Sequence, residues 1–169
     1  KVRLFERKGL SDFASPGKAK SLGLTVTRCP LVKICQLFGD VIMRIGLLEV
    51  SHWHFPLYAD ALRQSNVNVV ALSDSNPEVL SDVSAAFDAR GYRDPLELIE
   101  SEHLDLAFVF GRHNVMPTIA QALIDRRVPF ALEKPGGLDA DSIASLRASA
   151  EQNNINVAVA FVQLVGPVY

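Results

Sequence analysis

From Met43 onward the chain alternates short apolar runs with segments of helical period, and this alternation limits the folds open to it. Met43–Leu48 (MRIGLL) is almost uninterrupted apolar sequence, the pattern of a strand buried on both faces. Pro56–Arg63 follows, with Leu57, Tyr58, Ala61 and Leu62 at helical spacing and a proline acceptable in the first turn. Val67–Leu72 is a second strand. Asn76-Pro77 reads as a helix cap plus first helical residue, opening a helix to about Ala89, and Asp94-Pro95 repeats the device. Leu104–Phe110 reads as a further strand, Val115–Asp125 as a helix, and Phe130–Leu132 as a short strand. Asp139 or Asp141 caps a helix to about Gln152, and Asn156–Phe161 is the last strand. Strands separated by helices of this length are joined by right-handed crossovers, so the predicted fold class is α/β, a doubly wound parallel sheet. Ligands of such sheets sit beyond the carboxyl ends of the strands. The turns that matter are therefore 49–55, 73–76, 111–116 and 133–137.

Composition excludes several alternatives. The 169 residues are 49% hydrophobic and 21% charged, a globular balance, with net charge −2. A protein relying on phosphate-backbone contacts is usually basic, so nucleic acid is not the expected partner. No uncharged apolar run is long enough to span a bilayer, and the expected compartment is the cytoplasm. The average conceals a break at Met43. Residues 1–42 hold eight Lys and Arg against three Asp and Glu, together with both cysteines, Cys29 and Cys35. Residues 43–169 hold nine against sixteen, and Lys134 is their sole lysine. The expected organisation is a basic, poorly ordered leader of separate origin over 1–42, followed by one domain over 43–169.

Two turns carry side chains suited to chemistry. Lys134, between Glu133 and Pro135, is a lysine in a stretch that otherwise uses arginine, which points to a need for a compact ammonium. His52 and His54 alternate, so two imidazoles on one side invite a metal reading with Glu49 or His113 as third ligand. Capping or ligand-facing roles are favoured for both, and no metal is expected. Trp53 reads as a packing or partner-contacting residue.

Taken in order, the turns resemble the glucose-fructose oxidoreductase / inositol dehydrogenase (Gfo/Idh/MocA) family over about Met43 to Tyr169. Glu133-Lys134-Pro135 resembles that family's E-K-P signature. Val69 to Glu78 (VVALSDSNPE) resembles its second strand, acidic strand end and N-P-E helix start. Met43–Leu48 is similar to its opening strand, and Tyr92-Arg93-Asp94-Pro95 to its short strand and capped helix. The resemblance implies a Rossmann-like NAD(P)-binding domain without the family's second, carboxyl-terminal domain. It implies Lys134 as the catalytic residue, and Asp74, Glu133 and Pro135 as cofactor-binding residues; Ser51, His52, Arg112 and His113, in the turns 49–55 and 111–116, are the further cofactor-binding candidates that the residues themselves offer. Asp74 would accept the hydroxyls of an adenosine ribose and repel a 2′-phosphate, so NAD is the implied cofactor and NADP the less favoured one. A small-molecule substrate and a homo-oligomeric full-length form are implied as well.

Two turns depart from the family pattern. The first, Glu49-Val50-Ser51-His52-Trp53-His54, lacks all three glycines of G-x-G-x-x-G and brings a carboxylate where phosphates would approach. The turn after Leu104–Phe110, Gly111-Arg112-His113-Asn114-Val115-Met116, lacks the family's threonine-proline pair and has Met116 near its histidine. The expected function is the cofactor domain of an NAD-dependent oxidoreductase acting on a sugar, polyol or similar hydroxy compound, truncated and inactive alone. The alternative is a repurposed relative that binds another ligand or a partner protein.

Overall fold

A computed structural model describes residues 43–65 and 67–160. The basic head with Cys29 and Cys35, and the expected strand end at Phe161, lie outside these residues. Six strands form one parallel sheet in the order β3-β2-β1-β4-β5-β6. They are β1 (Met43–Leu48), β2 (Val67–Ser73), β3 (Arg90–Tyr92), β4 (Leu106–Val109), β5 (Phe130–Leu132) and β6 (Val157–Val159). Five helices connect them: α1 (Phe55–Gln64), α2 (Pro77–Phe87), α3 (Pro95–Ser101), α4 (Met116–Asp125) and α5 (Ala140–Asn153). The order reverses between β1 and β4, so a crevice opens at that point beyond the carboxyl edge.

Alternation along β1 divides the core between the two faces of the sheet. Ile45 and Leu47 pack with Phe55, Tyr58 and Leu62 of α1 and Val83 of α2. Leu48 packs with Leu98 of α3 and with Met116, Ile119 and Leu123 of α4. Each fully buried leucine or isoleucine contributes roughly 1.5–3 kcal/mol relative to exposure. Gly46 faces the same side as Leu48; a Cβ there would come within 2.8 Å of Leu104 Cδ1. The strand backbone is thus packed closely under Leu104, in the segment between α3 and β4, and that side chain would have to shift to admit a larger residue.

Four of the five helices carry proline in the first turn, where the missing amide has no intrahelical partner to lose. Side-chain caps open three of the five. Asn76 accepts from the amides of Glu78 and Val79, Asp94 from Leu96, and Asp139 from Ser142. Helix α2 stops at Phe87, two residues before the expected end, because Asp88 adopts a left-handed conformation (φ 51°). Strand β4 is shorter than its apolar run: Leu104 is buried outside the ladder, where it covers Gly46. Among the described residues no helix is long and apolar enough to cross a membrane.

Asn76→Ala removes the acceptor for two amides at the start of α2. We predict a loss of about 1 kcal/mol in unfolding free energy, read as a lower urea midpoint with an unchanged slope.

Candidate functional site

The turn after β1 has no glycine, and its first residue, Glu49, adopts φ 64°, a conformation that costs a non-glycine residue roughly 1–2 kcal/mol. Neighbouring strands hold it there. The amides of Glu49 and Val50 both donate to the Ser73 carbonyl, at 2.9 and 3.2 Å. The Ser51 amide donates to Oδ2 of Asp74 at 2.5 Å, and the Asn76 amide to Oδ1 at 2.8 Å. Asp74 is wholly buried. Its carboxylate clips the β1 turn to the β2 turn, and no part of it reaches solvent.

The other end of the same turn is fastened to β5. Glu133 immediately follows β5 and is 2% exposed. Its Oε1 lies 2.7 Å from Nδ1 of His54, and its Oε2 accepts a 2.7 Å hydrogen bond from the Tyr58 hydroxyl. His54 and Tyr58 are themselves buried. A buried carboxylate with both oxygens engaged is a rigid anchor, and it fixes the chain immediately before Lys134. The Lys134 ammonium lies 5.7 Å from the centroid of the Trp53 ring, within cation–π range. That ring packs on His54 with centroids 3.6 Å apart and is 74% exposed. His52 stands beside it, with ring centroids 6.1 Å apart. His52 Nδ1 accepts from the His54 amide at 3.2 Å, which requires a lone pair on that nitrogen. Burial, followed by the neighbouring His54, correspondingly lowers its pKa. The Lys134–Pro135 peptide is cis, and Pro135 is exposed.

A cavity of about 490 Å³ opens beyond the carboxyl edge, beside Glu49 and the starts of α3 and α4. Its polar lining is Glu49, Ser75, Arg93, Asp94, Arg112 and Thr118, drawn from the turns after β1, β2, β3 and β4 and from α4. Glu49 is pushed up to a pKa of about 7, chiefly by burial and then by the Asp74 charge, with Arg112 opposing and Asp94 reinforcing. Arg93 donates to the Ser75 carbonyl at 3.2 Å.

Of the residues expected from sequence, Ser51 and Asp74 meet directly. His52, Glu133 and Lys134 gather around Trp53 and His54. Arg112 faces Glu49 in the cavity. His113 is close enough to His52 to help lower its pKa. Among the described residues no three His, Cys, Asp or Glu side chains converge on a metal site. The sequence reading did not assign His54 and Tyr58 as partners of Glu133, because residues 75 to 79 positions apart carry no local signal. Arg93 is in the same position: only the fold brings its turn to the cavity.

Strand order 3-2-1-4-5-6 with a ligand-sized crevice at the reversal is the arrangement of dinucleotide-binding sheets. The profile of an oxidoreductase family with an NAD-binding Rossmann fold, Gfo/Idh/MocA, matches residues 50–161. The chain belongs to this family. Solved structures agree on the fold. An NAD-binding oxidoreductase from Klebsiella pneumoniae is 22% identical, with a TM-score of 0.66 over 73% of this chain and 35% of that one. Biliverdin reductase from Synechocystis sp. PCC 6803, solved with biliverdin and NADP+, is 18% identical, with a TM-score of 0.67 over 73% and 39%. Scyllo-inositol dehydrogenase from Lactobacillus casei, solved with NAD(H) and scyllo-inositol, is 15% identical, with a TM-score of 0.69 over 75% and 38%. The chain thus spans little more than a third of the length of these structures. A search of curated proteins finds no match.

NAD is the nucleotide of this Gfo/Idh/MocA family, and the residues present offer such a group cationic partners while departing from the usual site at the glycine-less β1 turn and at Asp74. The cavity lies at the strand-order reversal with two guanidiniums in its wall, and an ammonium stands at the far end of the same rim. Asp74, however, is sealed beneath the β1 turn.

Two predictions follow from these fastenings. Tyr58→Phe leaves Oε2 of a buried carboxylate without that donor, with an expected cost of about 1–3 kcal/mol in chemical denaturation. For Glu49 the folded pKa is above the unfolded value, so ionisation opposes folding and stability falls as pH rises from about 4.5 to about 7. Glu49→Gln removes that slope. Its advantage over the parent should grow through this window and level off above it, at about 1–2 kcal/mol once screening at a half-buried site is allowed for.

Proposed function

We propose that this chain is the nucleotide-binding part of an NAD-dependent oxidoreductase acting on a small polyhydroxy compound such as a sugar or polyol. The observation that carries the reading is the β1 turn. It bonds to Asp74 at one end and to Glu133, the neighbour of Lys134, at the other. The strands β2 and β5 that lead into these residues are three steps apart in the sheet, about 14 Å at ordinary strand spacing. That span suits an extended nucleotide lying along the rim, with its adenosine over the cavity and its other end at Lys134.

Bound nicotinamide would supply hydride chemistry. The protein's own part is to hold and polarise. Lys134 is fixed from behind by the buried Glu133 clasp and from the side by Trp53. Its ammonium can donate to a substrate oxygen and stabilise negative charge that develops there. Scyllo-inositol dehydrogenase, among the similar structures, was solved with scyllo-inositol, and an ammonium able to donate to an oxygen supports a small hydroxy compound as substrate. A repurposed sheet that has lost the nucleotide is the second reading, and the sealing of Asp74 favours it.

NADH titration separates the two. The chain has a single tryptophan, so its fluorescence reports on Trp53 alone. We expect NADH to quench or shift that emission and to raise the thermal midpoint, by an amount equivalent to about 2.7 kcal/mol at a hundredfold excess over Kd. In a form of the protein that turns over, Lys134→Ala should lower kcat by about 10²–10⁴. No response to millimolar NADH would leave the second reading in place.

A further inference from the structure

We propose that Glu49, rather than Asp74, presents the carboxylate that takes the ribose hydroxyls of an adenine nucleotide in the cavity beyond β1, β2 and β4. The inference rests on the nucleotide-binding reading above and assigns one of its contacts. Leu48 pairs with Ser73 at the last step of the β1–β2 ladder, so Glu49 and Asp74 each directly follow a strand end there, close enough for the Asp74 charge to act on Glu49. Asp74 is wholly buried, and its two oxygens accept the Ser51 and Asn76 amides. A ribose could reach it only if the turn came away. Glu49 instead lines the cavity, and among the described residues no hydrogen bond engages its carboxyl oxygens.

The sequence around Glu49 accommodates a side chain where the fingerprint of such turns has glycine. A Cβ on Gly111, in the turn after β4, would come within 3.3 Å of Glu49 Cγ. Gly111 therefore leaves room for the Glu49 side chain at the edge of the crevice. The charged groups facing Glu49 from every side are Asp74 after β2, Asp94 before α3 and Arg112 after β4, with Arg93 in the same cavity wall. Two acidic neighbours make this a poor place for a phosphate. A pair of hydroxyl donors suits it, because a carboxylate accepts from both. The arginine opposite keeps Glu49 ionisable. In effect the carboxylate that reads the sugar has moved by one strand, and Asp74 has become the clip that holds a glycine-less turn closed.

The decisive experiment compares ADP with 2′,3′-dideoxy-ADP by calorimetric titration. These probes differ only in the hydroxyls at issue and need neither substrate nor catalysis. The parent chain should prefer ADP by about tenfold or more, the size of a hydrogen-bonded pair with a charged partner. Glu49→Ala should weaken ADP to the level of the dideoxy compound while leaving the dideoxy compound nearly unchanged. The parent's preference should also grow between about pH 6 and about pH 8, as Glu49 ionises. A preference for ADP that survives Glu49→Ala would overturn the assignment and leave the nucleotide-binding reading intact. Failure of the parent to bind either probe would overturn both.

Discussion

The site depends on one constraint: a strand-to-helix turn without glycine must be held in a conformation that its residues do not favour. Glu49 sits at φ 64°. The turn survives because each end is bonded to a buried carboxylate, one just after the adjacent β2 and the other just after β5, two strands away. Asp74 takes the Ser51 amide, and Glu133 takes His54 and, from the first turns of α1, Tyr58. Buried carboxylates are costly unless fully bonded. Each here exchanges water for two protein donors, and each exchange ties β1 to a different part of the sheet.

The two clasps explain why residues far apart in sequence behave as one rim. His54 buries against Glu133 and turns Trp53 outward, and Trp53 in turn offers its ring to the Lys134 ammonium. The placement of Lys134 therefore rests on the β1 turn as much as on its own strand. Asp74 has a comparable double nature. Its type and its position at a strand end mark it as a ligand residue, yet in the folded chain it satisfies backbone amides. The cavity consequently receives its accessible carboxylate from Glu49, raised toward neutrality by burial and by Asp74 itself.

Much of the fold was legible in the residues. Strand β1 and strand β5 have the bounds their apolar runs indicate, and the Asn76-Pro77 and Asp94-Pro95 pairs open helices where a cap followed by proline should. These are local signals, carried by periodicity and by hydrogen bonds spanning two or three residues. The ends of elements were less legible. Phe87 ends α2 because Asp88 turns left-handed, and Leu104 is apolar because it covers Gly46, not because it pairs in a strand. In both cases the apolar pattern reports burial, and burial extends beyond the ladder.

Sequence alone determined the parallel α/β sheet, its four carboxyl-edge turns, the family, and the prominence of Lys134 and Asp74. It could do so because strand and helix periods and short caps are written in neighbouring residues. Tertiary structure decided which carboxylates are exposed. Whether Asp74 or Glu49 faces the crevice depends on the Leu48–Ser73 register, on the amides that converge on Asp74, and on Gly111 leaving room for the Glu49 side chain. The partnership of Glu133 with His54 and Tyr58 likewise exists only once β5 lies beside β4 and β4 beside β1. Solvent access and long-range pairing belong to the packed sheet as a whole, so no stretch of sequence contains them.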